Sequence, residues 1–185
     1  QRLAEASGHP VVFIATASPI ASQSDPEMRE RIAAHQRTRP TTWLTVEAPD
    51  DLVGAIHQHA RSGDLVLIDC LTIWVSNVVF RVFDRSQRET ASSYDDAPFE
   101  FWRSLETTLL EVTKTLLDTA NTRQVSLILV SNEVGLGIVP AYPLGRHYRD
   151  LLGKVNQTIA RRADSVILMV AGLPIDLRRL APSNG

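Results

Sequence analysis

The stretch RERIAAHQRTRP, residues 29–40, sets one imidazole among cations. His35 is preceded by Arg29 and Arg31 and followed by Gln36, Arg37, Thr38 and Arg39 before Pro40. Guanidinium groups offer paired donors that match phosphate or carboxylate oxygens. A neutral imidazole can act as a nucleophile and form a covalent intermediate. The pattern admits two readings: a nucleophile beside an anion clamp, or a histidine at a helix end whose charge answers the macrodipole. Spacing alone leaves both open.

Other chemistry-bearing groups follow short apolar runs. Asp69 closes LVLID, four apolar residues and then a carboxylate, as a Walker B strand does when it holds Mg2+ directly or through water. The alternative reading is an acidic cap for a helix over CLTIWVSNVVF. The run ending at Val130 continues into SNEVGLGIVP, with Asn132 and Glu133 at its tip and two glycines suited to a tight turn. No G-x-G-x-x-G accompanies them, so a dinucleotide fingerprint is absent. The first run ends in Thr16, Ala17 and Ser18. His147 lies in GRHYRD between Arg146 and Arg149, which suits a phosphate or acidic substrate as well as a solvated basic face. His57 and His59, two apart on a helix, point to different faces and do not share a metal.

These groups need a scaffold, and the hydrophobic pattern supplies one. Residues 11–16, 64–69, 125–130 and 165–170 are continuous, β-branched runs, as strands covered on both faces of a parallel sheet are. Residues 25–36, 48–61, 98–120 and 144–164 have helical spacing, the first with Asp25 as N-cap and Pro26 at its first turn. A further short strand fits residues 42–47. Strands alternating with helices predict a parallel α/β sheet wound by right-handed crossovers, whose ligands lie beyond the carboxyl ends of the strands. Trp43, Trp74 and Trp102 read as packing anchors. Residues 84–98 are polar and Ser-rich and read as a mobile surface loop; residues 181–185 read as a disordered tail.

At 185 residues the chain is one domain, residues 1–185, with length enough for a real core. A net charge of −2 argues against a nucleic-acid-coating surface. One cysteine, Cys70, excludes an internal disulfide and fits a reducing, cytoplasmic compartment. No apolar run approaches the roughly 18 residues that a membrane span needs.

Taken in order, FIATA, DPEMRERIAAHQRTRPTTWLTVEAP, LIDCLTIWVSN, LVSNEVGLGIVP and GRHYRDLLGKVNQTIARRADSVILMVAGLP resemble one family. It is the bifunctional adenosylcobinamide kinase / adenosylcobinamide-phosphate guanylyltransferase family of cobalamin biosynthesis, and the resemblance runs from about residue 11 to 177. It implies a P-loop NTPase, RecA-like parallel sheet with helices on both faces. It also implies an enzyme that phosphorylates adenosylcobinamide with ATP or GTP and Mg2+. The same enzyme then transfers GMP from GTP through a guanylylated histidine, giving adenosylcobinamide-GDP. By the match, His35 carries the GMP. Nucleotide contacts fall on Thr16, Ala17, Ser18, Gln36, Arg37, Thr38, Arg39, Glu47 and Asp69, with Mg2+ at Asp69. Asn132, Glu133, Arg146 and His147 are candidates on the substrate side. A homo-oligomer, a trimer with sites between subunits, is implied as well.

One departure stands beside the match: no G-x-x-x-x-G-K-[ST] occurs in residues 1–185. The expectation is that this loop and its strand precede Gln1, with QRLAEASG as the helix that follows it. Two rival readings are another P-loop small-molecule kinase in which His35 is structural, and a non-catalytic nucleotide-binding subunit. Both differ from the first in having no use for a nucleophilic histidine.

Overall fold

The computed structural model of the chain describes residues 1–17, 26–86 and 93–180. Three of the four β-branched runs pair side by side: β1 (Val11–Ala15), β3 (Leu65–Asp69) and β4 (Ser126–Val130). The short strand β2 (Leu44–Glu47) completes a parallel sheet in the order β2-β1-β3-β4. Helices make the crossovers: α2 (Pro26–Thr38), α3 (Leu52–His59), and α4 (Leu71–Ser86) with α5 (Phe99–Arg123). The five-residue α1 (Arg2–Ala6) precedes β1, and α6 (Pro143–Arg162) follows β4.

Because strand side chains alternate, each run feeds two cores. Val12, Ile14, Val66 and Ile68 face a large one built with Leu52 and Ile56 of α3, Trp74 and Val75 of α4, Leu109 and Leu116 of α5, and Leu152 of α6. Val11, Phe13, Leu65 and Leu67 face the other way, onto Ala4 of α1, Trp43 and Ile128. Local chemistry sets several boundaries. Asp51 caps α3 by accepting from the Gly54 N–H at 2.8 Å. Gln124, with φ 55, ends α5 in the left-handed conformation and returns its N–H to Ala120 and Asn121.

The structure differs from the sequence reading in four places. The run at 165–170 becomes β5 (Ile167–Val170), but it pairs antiparallel with β6 (Leu173–Asp176) rather than entering the parallel sheet. The cause is the two-residue turn at Ala171 and Gly172, both with positive φ (50 and 79), which folds the run back on itself. A last short helix, α7 (Leu177–Leu180), follows. Helix α2 runs on to Thr38, so His35 sits inside its last turn rather than at its end. The described ends of segment 84–98 are built structure: residues up to Ser86 belong to α4, and Tyr94–Asp96 form a 3-10 turn. Tyr94 packs on Phe83 with ring centroids 4.3 Å apart. Asp25, Ser18 and residues 181–185 lie outside the described residues.

Candidate functional site

The strand register aligns Glu47, Ala15, Asp69 and Val130 in one row at the carboxyl edge of the sheet. Above that row, on the face that packs against α1 and Trp43, the last turn of α2 brings His35 over Asp69. Its Nδ1 stands 4.0 Å from Asp69 Oδ2, and the imidazole is 69% exposed against 28% for the carboxylate. That distance is too long for a hydrogen bond and leaves the ring nitrogens open to a ligand. A cleft of about 260 Å³ lies here, bordered by Phe13, His35, Arg39, Trp43, Asp69 and Val130.

Arg39 is held from two sides. Its guanidinium lies 3.5 Å above the centre of the Phe13 ring, and its Nη1 donates to Thr45 Oγ1 at 3.0 Å. Phe13 in turn stacks on Trp43, with centroids 6.4 Å apart and planes 24° from parallel. Burial lowers the pKa of Arg39, and the charge of Asp69 pulls it back up. The cleft therefore pairs a fixed, partly desolvated cation with a nucleophile-type side chain and a carboxylate.

The neighbours of His35 divide. Arg37 turns outward to Glu30, 2.8 Å away, with both side chains largely exposed. The Thr38 hydroxyl donates back to the carbonyl of His35 at 3.2 Å, and Gln36 is exposed. Thr16 is fully buried, its hydroxyl bonded to the backbone of Cys70 in both senses at 2.8 Å. Ala17 follows at the end of β1, half-buried. Glu47 lies at the tip of β2 but borders a separate hollow of about 310 Å³, shared with Asp50, Gln58, His59 and Arg81.

The residues expected on the substrate side form a group of their own, and each has an internal partner. The Thr72 hydroxyl donates to Asn132 Oδ1 at 2.7 Å, and Asn156 Nδ2 donates to the Asn132 carbonyl at 3.0 Å. Glu133 Oε1 accepts from the Gly135 N–H at 2.6 Å and shapes the turn after β4. Arg146 Nη1 donates to the carbonyls of Pro140 and Ala141, at 3.0 and 2.7 Å. His147 stacks on Trp102 with centroids 4.3 Å apart and planes 9° from parallel. Burial depresses its pKa; Asp150 opposes this, Arg146 adds to it, and Asp95 opposes it. These side chains brace the loop between β4 and α6.

Sequence reasoning missed Asn77, Thr72 and Asn156, which hold the strand tips. A polar residue in the middle of WVSNVVF and the Asn of VNQ were the available signals. It also read Trp43 only as a packing anchor, whereas the ring borders the cleft. For a metal, no group of three or more His, Cys, Asp or Glu forms among the described residues. Among the described residues, Asp69 alone supplies a carboxylate to the His35 cleft. One carboxylate beside room for phosphate oxygens fits Mg2+, which keeps several waters and is bound through one or two carboxylates plus substrate phosphates.

Residues 1–177 match the family described as cobinamide kinase / cobinamide phosphate guanyltransferase. The chain is 36% identical over 178 residues to the bifunctional adenosylcobalamin biosynthesis protein CobP of Pseudomonas aeruginosa, covering 96% of this chain and 88% of that protein. It is 33% identical over 168 residues to the bifunctional adenosylcobalamin biosynthesis protein CobU of Escherichia coli, covering 91% and 86%. The CobU protein of Salmonella typhimurium matches to the same extent.

Proposed function

Because the chain belongs to the cobinamide kinase / cobinamide phosphate guanyltransferase family, we propose that guanylyl transfer takes place in the cleft over Asp69, with His35 as the residue that carries GMP. The protein is a bifunctional enzyme: it phosphorylates adenosylcobinamide with a nucleoside triphosphate and transfers GMP from GTP to the product, giving adenosylcobinamide-GDP.

The observation that carries the site assignment is the approach of His35 Nδ1 to 4.0 Å from Asp69 at the carboxyl edge of the sheet, beside a fixed guanidinium. Direct attack of adenosylcobinamide phosphate on GTP would bring two polyanions together. A neutral imidazole avoids this by dividing the transfer into two displacements. In the first, a ring nitrogen bonds to the α-phosphorus and pyrophosphate leaves with the electrons of the broken P–O bond. In the second, a phosphate oxygen of the corrinoid substrate bonds to that phosphorus, the N–P bond breaks, and the imidazole is regenerated. Arg39, fixed over Phe13, holds phosphate oxygens and spreads their charge. Asp69 would hold Mg2+, which when bound neutralises phosphate charge during transfer. Arg37, exposed and paired only at the surface, is able to swing to the same anion.

We further assign the protein to the cytoplasm as a self-associating enzyme, a trimer in keeping with its resemblance. Supporting self-association, Met169, Leu173 and Leu180 are exposed on the β5–β6 hairpin and α7. No helix among the described residues is long and apolar enough to cross a membrane.

The test separates the two activities. His35→Ala should reduce guanylyl transfer by about 1,000-fold or more, as loss of a covalent nucleophile does, and leave phosphorylation of adenosylcobinamide within a few-fold of wild type. Guanylyl transfer that survives the substitution at the wild-type rate overturns the assignment and leaves His35 a surface residue.

A further inference from the structure

Asp69 accepts no hydrogen bond through its carboxylate from any described residue, so the aim of that group is set by the backbone that carries it. That backbone is clasped by one side chain. Past the last rung of the β1–β3 ladder, Ala15 opposite Asp69, the Thr16 N–H donates to the Asp69 carbonyl at 3.2 Å. The Thr16 hydroxyl then donates to the Cys70 carbonyl and accepts from the Cys70 N–H, both at 2.8 Å. The Thr16 carbonyl is itself held: Asn77 Nδ2 donates to it at 2.9 Å and to the Pro49 carbonyl at 3.0 Å. Asn77 belongs to α4, the helix that begins directly after Cys70. The tip of β3, α4, Asn77 and Thr16 therefore form a closed ring around the residue that bears the carboxylate.

A hydroxyl donates and accepts from one atom, which valine, of the same shape, cannot do. Thr16 has no exposed surface, and its hydroxyl can donate to a ligand only by releasing the Cys70 carbonyl. We propose that Thr16 is the positioning residue for Asp69: its hydroxyl aims the carboxylate at the metal and phosphates of bound GTP and does not itself contact the nucleotide. This deepens the reading of Asp69 as the metal-side carboxylate and rests on it.

The metal-dependent gain in GTP affinity tests the inference without turnover. Binding of a GTP analogue whose α,β bridge is a methylene group, so that no pyrophosphate can leave, is measured on the purified protein by calorimetry in EDTA and in Mg2+, for wild type, Thr16→Val, Thr16→Ser, Asn77→Ala, Asp69→Asn and the Thr16→Val/Asp69→Asn double variant. Thr16→Val should bind the analogue in EDTA within about threefold of wild type and lose about tenfold of the Mg2+-dependent gain, the scale of a lost buried hydrogen bond. Thr16→Ser should restore most of that gain. On top of Asp69→Asn, Thr16→Val should add less than about threefold, because residues that act through one another are not additive. Weakening by the same factor with and without Mg2+, or a full effect in the Asp69→Asn background, overturns the proposal in favour of direct nucleotide contact. If Thr16→Val does not fold, Asn77→Ala carries the test. It should lose about threefold or more of the gain, and an unchanged gain overturns the proposal. Asp69→Asn with an intact Mg2+ gain sinks the underlying reading of Asp69, whereas loss there with none in the Thr16 and Asn77 variants sinks this inference alone.

Discussion

On one face of the parallel sheet, Val12, Ile14, Val66 and Ile68 lie under side chains of α3, α4, α5 and α6. On the other, Phe13 and Leu67 meet a five-residue helix, Trp43 and the cleft beneath the last turn of α2. The two faces alternate along the same strands, so the residue that seals the core and the residue that borders the cleft are chain neighbours. Ile68 has no exposed surface, while the side chain of Asp69 is 28% exposed. The thick face supplies stability and a rigid backbone, and the thin face leaves room for an anion. Preorganised groups on rigid elements are what transition-state stabilisation requires.

Substitutions should tell the faces apart. Trp74 is fully buried on the thick face, with its Nε1 donating to the Asp50 carbonyl at 2.9 Å. Trp74→Ala should cost about 3–5 kcal/mol in chemical denaturation, whereas Trp43→Ala on the thin face should cost about 1–2 kcal/mol. Equal costs would break the comparison. Asp69→Asn should do the reverse, lowering guanylyl-transfer kcat by about 100-fold while leaving the denaturation midpoint unchanged. Retained activity with unaltered Mg2+ dependence would return Asp69 to the role of a helix cap.

Smaller effects sharpen the boundary. The Tyr148 hydroxyl donates to the Thr72 carbonyl at 2.8 Å, and burial pushes its pKa up to about 12. Tyr148→Phe should cost about 1 kcal/mol, read as a lower unfolding temperature at pH 7, and should remove the tyrosine that titrates last in base. The smallest effect is expected at His147. Its folded-state pKa lies below the ordinary 6.5 because burial disfavours the imidazolium. The unfolded chain then binds the proton more readily, so the stability this residue contributes is present above pH 6.5 and declines as pH falls through the folded pKa. Replacing it by Gln should flatten the unfolding temperature between pH 7 and 5. An unchanged slope would show that burial does not disfavour the charge.

Much of the thick face was legible from sequence because apolar periodicity reports burial directly. Strands β1, β3 and β4 and helices α3 to α6 follow from it. The run that becomes β5 has the same composition as a central strand, and nothing local says which strand it pairs with; the turn at Ala171 and Gly172 decides that. At the site, residue types were legible and their division of labour was not. Arg37 and Arg39 look equivalent in QRTR, yet α2 ends between them at Thr38, so Arg37 lies on the helix and Arg39 on the chain that leaves it. One therefore meets Glu30 at the surface and the other meets Phe13 over the sheet. Asn132, Glu133, Arg146 and His147 read as ligand-facing because they are polar. Their bracing partners Thr72, Pro140, Trp102 and Asn156 reach them through folding, in two cases from more than 40 residues away. The clasp of Thr16 on Cys70 spans 54 residues and leaves no local signature.

The most direct test of the account is covalent. The protein is incubated with Mg2+ and GTP labelled in the α-phosphate, denatured, and the adduct mapped. The account predicts one labelled peptide bearing His35, with a bond that is stable in alkali and labile in acid as a phosphoramidate is, present in His147→Ala and absent from His35→Ala. Label that persists in His35→Ala, or that maps to another residue, would contradict it.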